Sequence, residues 1–109
     1  MEDEQFNFAI FSLLFNLSYS YMELRHYTEA LECLNECLEY FNENSDVYFR
    51  RSQARIYNKF SDEDSQLIAL LDIQKALKLK NCTIYQEHLE KVNRHIEERK
   101  QINSKKING

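Results

Sequence analysis

The chain has 109 residues and a net charge of −4, a size that favours one domain with a modest core. Its 43% hydrophobic and 29% charged residues exclude a disordered polar chain. Pro is absent and the one Gly is Gly109, which disfavours a sheet protein, because sheets need several tight turns. The acidic balance lacks the electrostatic footprint of a general nucleic-acid binder, so we expect no nucleic-acid partner.

The N-terminal half of the chain predicts two amphipathic helices. Apolar residues recur every three or four positions from Phe6 to Leu24 and again from Tyr27 to Phe41. A turn at Arg25-His26 separates the two patterns. The apolar stripe of the first helix is wide, which predicts contacts on two of its sides.

The C-terminal half predicts three further helices. The third covers about 46–59, with Ser45 or Asp46 as its N-cap, and the fourth carries apolar residues up to Leu79. The fifth begins near a capping Thr83, and its apolar residues fall on one face. Periodicity is lost after residue 101, which predicts a flexible tail.

The distribution of apolar and charged residues predicts no targeting segment and no membrane-spanning segment. No apolar run is long enough to cross a bilayer, and Glu2, Asp3 and Glu4 stand where a signal peptide needs basic residues. We therefore expect a cytoplasmic protein with reduced cysteines and no membrane partner.

The two helical hairpins show an internal correspondence. At a spacing of 34 residues, Asn16 falls on Arg50 and Ser18 on Ser52. In the second helix of each hairpin, two small residues stand seven positions apart, and such residues let paired helices approach closely. These small residues are Ala30 and Cys37 in the first hairpin, and Ala69 and Ala76 in the second.

The segments N-L-S-Y-S-Y-M-E-L from Asn16 and Y-F-R-R-S-Q-A from Tyr48 resemble the tetratricopeptide repeat (TPR) family. The resemblance implies an all-α domain of about five helices: a right-handed superhelical array of two helix hairpins plus a C-terminal capping helix. The predicted domain covers 1–101, with units at about 11–44 and 45–82 and a capping helix at about 83–101. The predicted flexible tail covers 102–109.

The repeats look closest to those of chaperone-binding immunophilins and other co-chaperones. In those proteins a carboxylate clamp, a set of Lys, Arg and Asn side chains, grips the acidic C-terminal peptide of heat-shock chaperones. The resemblance carries a peptide-binding role onto Asn16 and Arg50, whereas Asp46 occupies a clamp position that is usually Lys. It implies a non-catalytic co-chaperone-like adaptor with a degenerate clamp. Asp46 stands one turn before Arg50, so an ion pair within the helix is the alternative role of these two residues.

A second hypothesis is a TPR scaffold that binds an unrelated protein segment or associates with itself. The first helix is expected to leave its apolar face exposed at Phe6, Ile10, Phe11 and Leu14. Such a face would allow a homodimer.

The sequence shows no arrangement of residues typical of a catalytic, metal-binding or cofactor-binding site, so we expect no enzyme, metal or cofactor. Cys33 and Cys37 lack the further ligands, at a recognised spacing, that zinc needs. His88 and His95 have no paired nucleophile and are predicted to be solvated. With one glycine, the chain has no phosphate-binding loop.

Overall fold

A computed structural model describes the backbone of residues 3–108 and the side chains of residues 3–102. Within this part of the chain there is no strand, and the all-α class is confirmed. The handedness of the array stays a prediction. The five helices are α1 (Glu4–Glu23), α2 (Tyr27–Tyr40), α3 (Ser45–Tyr57), α4 (Glu63–Leu79) and α5 (Thr83–Asn108).

Polar side chains just before three helices satisfy free backbone N–H groups. The Asp3 carboxylate accepts from the Gln5 N–H at 2.9 Å, and the Asp62 carboxylate accepts from the Ser65 N–H at 2.8 Å. The cap of α3 is Asn44, whose side-chain oxygen accepts from the Val47 N–H at 3.3 Å. The predicted caps Ser45 and Asp46 lie inside this helix, because Asn44 is the last residue with extended backbone.

The turn between α1 and α2 ends α1 with a left-handed residue. Arg25 has φ 63°, its N–H bonds the Met22 carbonyl at 3.0 Å, and the His26 N–H bonds the Tyr21 carbonyl at 2.8 Å. This pair of bonds is the Schellman motif, in which Gly is the usual left-handed residue. A side chain in that conformation costs roughly 1 kcal/mol, so local stability does not explain an arginine here.

Each helix packs against the next one in sequence, and α3 also contacts α5. The short connections make neighbouring helices antiparallel, and the molecule measures 60 × 28 × 22 Å. One core cluster joins α1, α2 and the start of α3; its buried members are Phe11, Leu34, Cys37 and Val47. A second joins α3, α4 and α5; its buried members are Ile56, Ala69, Ile73, Ala76, Tyr85 and Val92.

The small residues predicted at helix contacts are buried as expected. Ala30, Cys37, Ala69 and Ala76 are all completely inaccessible to solvent, so they lie where paired helices approach most closely. None of the helices between residues 3 and 108 combines the length and apolarity needed to cross a bilayer.

The last helix is longer than the sequence pattern indicates. The backbone of α5 stays helical to Asn108, past the predicted end of the capping helix at 101 and through most of the predicted tail. Helical hydrogen bonds within a segment need no apolar stripe, which is the signal that ends at 101. Met1, Glu2 and Gly109, which the predicted domain and tail limits include, lie outside the described residues. Those limits stay a prediction.

Candidate functional site

Arg50, a predicted peptide-binding residue, lies between α3 and α1. Its guanidinium carbon is 4.7 Å from the centre of the Phe15 ring and 4.5 Å from that of Tyr19. Burial lowers the pKa of Arg50, and its Nε is buried without a hydrogen-bond partner among the described residues. The cation is therefore held by two aromatic faces.

Asp46 and Asn16, the other predicted site residues, are both exposed. The Asp46 carboxylate accepts a short hydrogen bond from the Tyr85 hydroxyl, and the Ser45 hydroxyl lies 3.1 Å from that phenolic oxygen. Burial, together with the Asp46 hydrogen bond, raises the pKa of Tyr85 to about 12. No ion pair joins Asp46 to Arg50 within residues 3–102, so the ion pair expected from their spacing is not formed. Asn16 follows Phe15 on α1, beside the ring that Arg50 covers.

A buried ion pair that the sequence analysis missed ties three helices together. Arg51 donates to both carboxylate oxygens of Asp72, from Nε at 2.9 Å and from Nη2 at 2.7 Å. Its Nη1 donates to the Asn35 side-chain oxygen at 3.0 Å. The side chain of Asp72 is only 5% exposed. The sequence contained one signal for this ion pair. Asp72 is one position before the core residue Ile73 and so places a charge at the edge of the apolar stripe of α4.

His88 is buried against Ser52, and the prediction that it is solvated is wrong. The Ser52 hydroxyl donates to the Ala69 carbonyl at 2.8 Å, so the 2.9 Å contact with His88 requires the His88 Nε2–H to donate. Burial is the largest cause that lowers the pKa of His88 to about 4. Its position three residues after Tyr85 and four before Val92, on the apolar face, is the signal that the sequence contained.

This Ser–His contact cannot act as a nucleophile and base. Ser52 is completely buried, and its proton is already given to a carbonyl. The thiols of Cys33 and Cys37 are buried as well, and burial raises the pKa of Cys37 to about 11. Among the residues that the structure describes, no group of three or more His, Cys, Asp or Glu could hold a metal ion.

The outward side of α1 carries a row of exposed apolar side chains. We use the name α1 stripe for four of these residues: Phe6, Leu13, Leu17 and Leu24. The three leucines follow Phe6 by 7, 11 and 18 positions, so all four residues share one side of the helix. Their exposed fractions are 61%, 67%, 45% and 65%. No residue from 5 to 22 is charged. An exposed apolar side of this kind is a candidate interaction surface.

The exposed face expected from the sequence is only partly as predicted. Phe6 is exposed, Ile10 and Leu14 are half-buried, and Phe11 is buried in the core. Phe11 packs edge-on to Phe41 with ring centres 5.2 Å apart. Together with Phe8 these rings line an open recess of about 450 Å³. Phe8 lies two residues from Phe6 and so faces away from the α1 stripe.

These features define the class of the molecule: an all-helical domain whose polar network is turned inward and whose first helix turns an apolar side outward. The family described as RNA polymerase I-associated factor PAF67 matches residues 4–108. The match covers nearly the whole chain, and the chain belongs to that family. No curated protein and no solved structure matches it.

The family membership corrects the resemblance stated above. The identification with TPR proteins, immunophilins and co-chaperones is wrong, and so is the predicted function in binding a chaperone tail through a carboxylate clamp. The TPR scaffold hypothesis gains no support from it either. The physical reason is that small residues spaced seven apart serve any close helix hairpin. The peptide-binding roles of Asn16 and Arg50 stay untested predictions. The description of the family agrees with a protein partner in general.

Proposed function

We propose that this chain is a non-catalytic interaction module that docks onto a protein of the RNA polymerase I machinery through the α1 stripe. The observation that carries the proposal is the uncharged, exposed stripe in a chain of a polymerase-associated family. The description of the family supports this choice of partner, and the stripe supports this choice of surface.

The chemistry of the stripe limits what can cover it. Its four side chains run along about 27 Å of helix, from Phe6 to Leu24. Burying a large apolar side chain stabilises a contact by about 1.5–3 kcal/mol. A charged group opposite the stripe would lose its hydration without gaining a partner. The occupant is therefore an apolar face, and a second helix laid along α1 supplies one of matching length.

Two accompanying features support a binding role without chemistry. Ser52 and His88, which could suggest hydrolysis, are buried and satisfied by each other and by Ala69. The described cysteines are free thiols without a metal-binding cluster around them. We propose on this basis that the chain is not an enzyme.

The proposed partner also decides the compartment. A factor of RNA polymerase I works in the nucleus, so we propose a nuclear location in place of the cytoplasmic one expected from the sequence. Immunofluorescence of the tagged full chain tests this point. A signal confined to the cytoplasm would contradict it.

The docking surface is tested by measuring binding of the purified chain to purified RNA polymerase I by biolayer interferometry. Leu13→Glu places a charge in the centre of the α1 stripe, and we expect it to weaken binding at least about ten-fold. Phe8→Glu is the matched control, since Phe8 is 62% exposed on the same helix but on another side. Equal loss in both variants, or no binding by the native chain, would contradict the proposal.

A second copy of this chain is the competing occupant, because the homodimer expected from the sequence is also a way to cover α1. Light scattering of the native chain and of Leu13→Glu separates the two cases. A monomer that binds the polymerase supports the proposal. A dimer that Leu13→Glu dissociates assigns the stripe to self-association instead.

A further inference from the structure

We propose that the end of the molecule formed by the α1–α2 and α3–α4 turns binds a short segment of single-stranded nucleic acid. The two turns enclose a pocket of about 360 Å³. Two of its lining residues are cationic, three are aromatic, one is an amide and none is acidic. They are Arg25, Tyr27, Tyr57, Asn58, Lys59 and Phe60.

The cations at this end have no carboxylate partner. Neither Arg25 nor Lys59 forms an ion pair with any described residue. Lys91 of α5 adds a third charge beside the pocket, with its amine 5.2 Å from the centre of the Tyr57 ring. Glu29 lines an adjoining recess and lies 3.2 Å from the His26 ring nitrogen. The three positive charges are therefore available to an anion.

The conformation of Arg25 also points to a ligand. It holds the left-handed position where glycine is the residue that a helix end prefers. The chain places a cation there against the local backbone preference. The side chain contributes no described contact that would compensate for this preference, whereas a bound phosphate would.

The Phe60 ring is held out by a structured turn. It is 83% exposed, and among the described side chains only the Lys59 amine, 5.3 Å from the ring centre, lies over it. The Asn58 side chain accepts from the Phe60 N–H at 3.0 Å, and Arg99 of α5 donates to the Ser61 carbonyl at 2.7 Å. The ring is thus positioned by hydrogen bonds and still open to solvent on its faces.

Rings and cations together select the ligand class. Bases of a single strand stack on aromatic faces while neighbouring phosphates contact Lys and Arg. A duplex hides its base faces, and a phosphorylated peptide would engage the cations and leave the rings unused. The net charge of −4, which led to the expectation of no nucleic-acid partner, averages over the whole chain. Only about two or three phosphates can be neutralised here, so binding is local and weak.

The test is fluorescence anisotropy of the full chain with a labelled ten-nucleotide oligouridylate. We expect binding that weakens about ten-fold between 50 and 200 mM salt, as two or three phosphate contacts predict. Phe60→Ala, Lys59→Gln and Arg25→Gly should each weaken it at least about five-fold. Arg25→Gly suits the left-handed backbone, so its loss of binding cannot be due to unfolding.

Matched controls and competitors decide the outcome. Phe8→Ala and Lys78→Gln remove an exposed ring and an exposed cation elsewhere, and binding should stay within about two-fold of native. No binding by the native chain, or equal losses in these controls, would overturn the proposal. Displacement of the oligouridylate by inorganic phosphate, a duplex of the same length or a phosphorylated peptide at equal concentration would overturn it too.

Discussion

The first and last helices of the stack end the molecule in opposite ways. Along α5, the side chains that face inward are buried, with Tyr85, His88 and Val92 at most 4% exposed. Every exposed position of α5 from 86 to 98 is polar or charged. Along α1, Phe11 and Ser18 are buried, yet the opposite side carries the apolar α1 stripe. The solvent face of α5 is therefore polar between 86 and 98, although Ile84 and Ile102 are exposed outside that range, whereas α1 has apolar residues on both sides.

Under the proposed function, stability and binding belong to different helices of this domain. Burial of α5 and its contacts with α3 and α4 hold the second core cluster together. The α1 stripe belongs to neither cluster, and under the proposed function it contacts a surface outside the chain. Changes on α5 should therefore alter unfolding, and changes on the α1 stripe should alter association.

The largest effect is expected at the Arg51–Asp72 ion pair, which joins α3 to α4 between the two end helices. Asp72→Ala leaves Arg51 without its carboxylate and should lower the free energy of unfolding by about 3–5 kcal/mol. Urea denaturation measures it. Asp64→Ala, an exposed residue of the same helix, is the control and should change it by less than about 0.5 kcal/mol. Similar losses in both would mean that the ion pair is not what holds α3 and α4 together.

Acid should loosen α5 through His88. Its pKa is about 4 in the folded chain and 6.5 when unfolded, so below pH 6.5 the unfolded chain binds more protons. Stability is full above pH 6.5, falls as the pH drops towards 4, and loses about 3 kcal/mol in total. Urea titrations at several pH values measure this.

A matched variant isolates the histidine. His88→Gln should flatten the slope between pH 6.5 and 4, although it also lowers stability at neutral pH. His95→Gln, on the same helix, should leave the slope in place. A slope that survives in His88→Gln would assign the acid sensitivity to another group.

Equivalent truncations compare the two end helices directly. Val92→Ala opens a cavity in a fully buried site of α5 and should cost about 2 kcal/mol of stability. Leu13→Ala removes more atoms from α1 but should change stability by less than about 0.5 kcal/mol, because that side chain is 67% exposed. Thermal unfolding of the two variants gives the comparison. A large loss in Leu13→Ala would show that the stripe belongs to the core.

The smallest effect concerns the turn after α1. Arg25→Gly relieves a left-handed side chain and should stabilise the chain by up to about 1 kcal/mol. Arg25→Ala keeps the side-chain strain and serves as the control. A stability for Arg25→Gly below that of the native chain would mean that the arginine side chain itself supports the fold.

The sequence by itself determined the helical class and the places where the helices change. Apolar periodicity, polar caps and small residues at Ala30 and Ala76 are local signals, because a helix is closed by bonds only four residues apart. The incorrect TPR assignment has the same cause. Small and large apolar residues at regular spacing indicate a closely packed helix hairpin, but they do not identify the family to which the hairpin belongs.

Only the tertiary structure decided which groups meet. Arg50 lies over rings of α1 instead of pairing with Asp46, and His88 is neutral because α3 covers it. It also decided that Phe11 is buried while Leu13, two residues on, faces solvent. Burial and partner choice depend on distances between residues far apart in the chain, and no local pattern sets those distances.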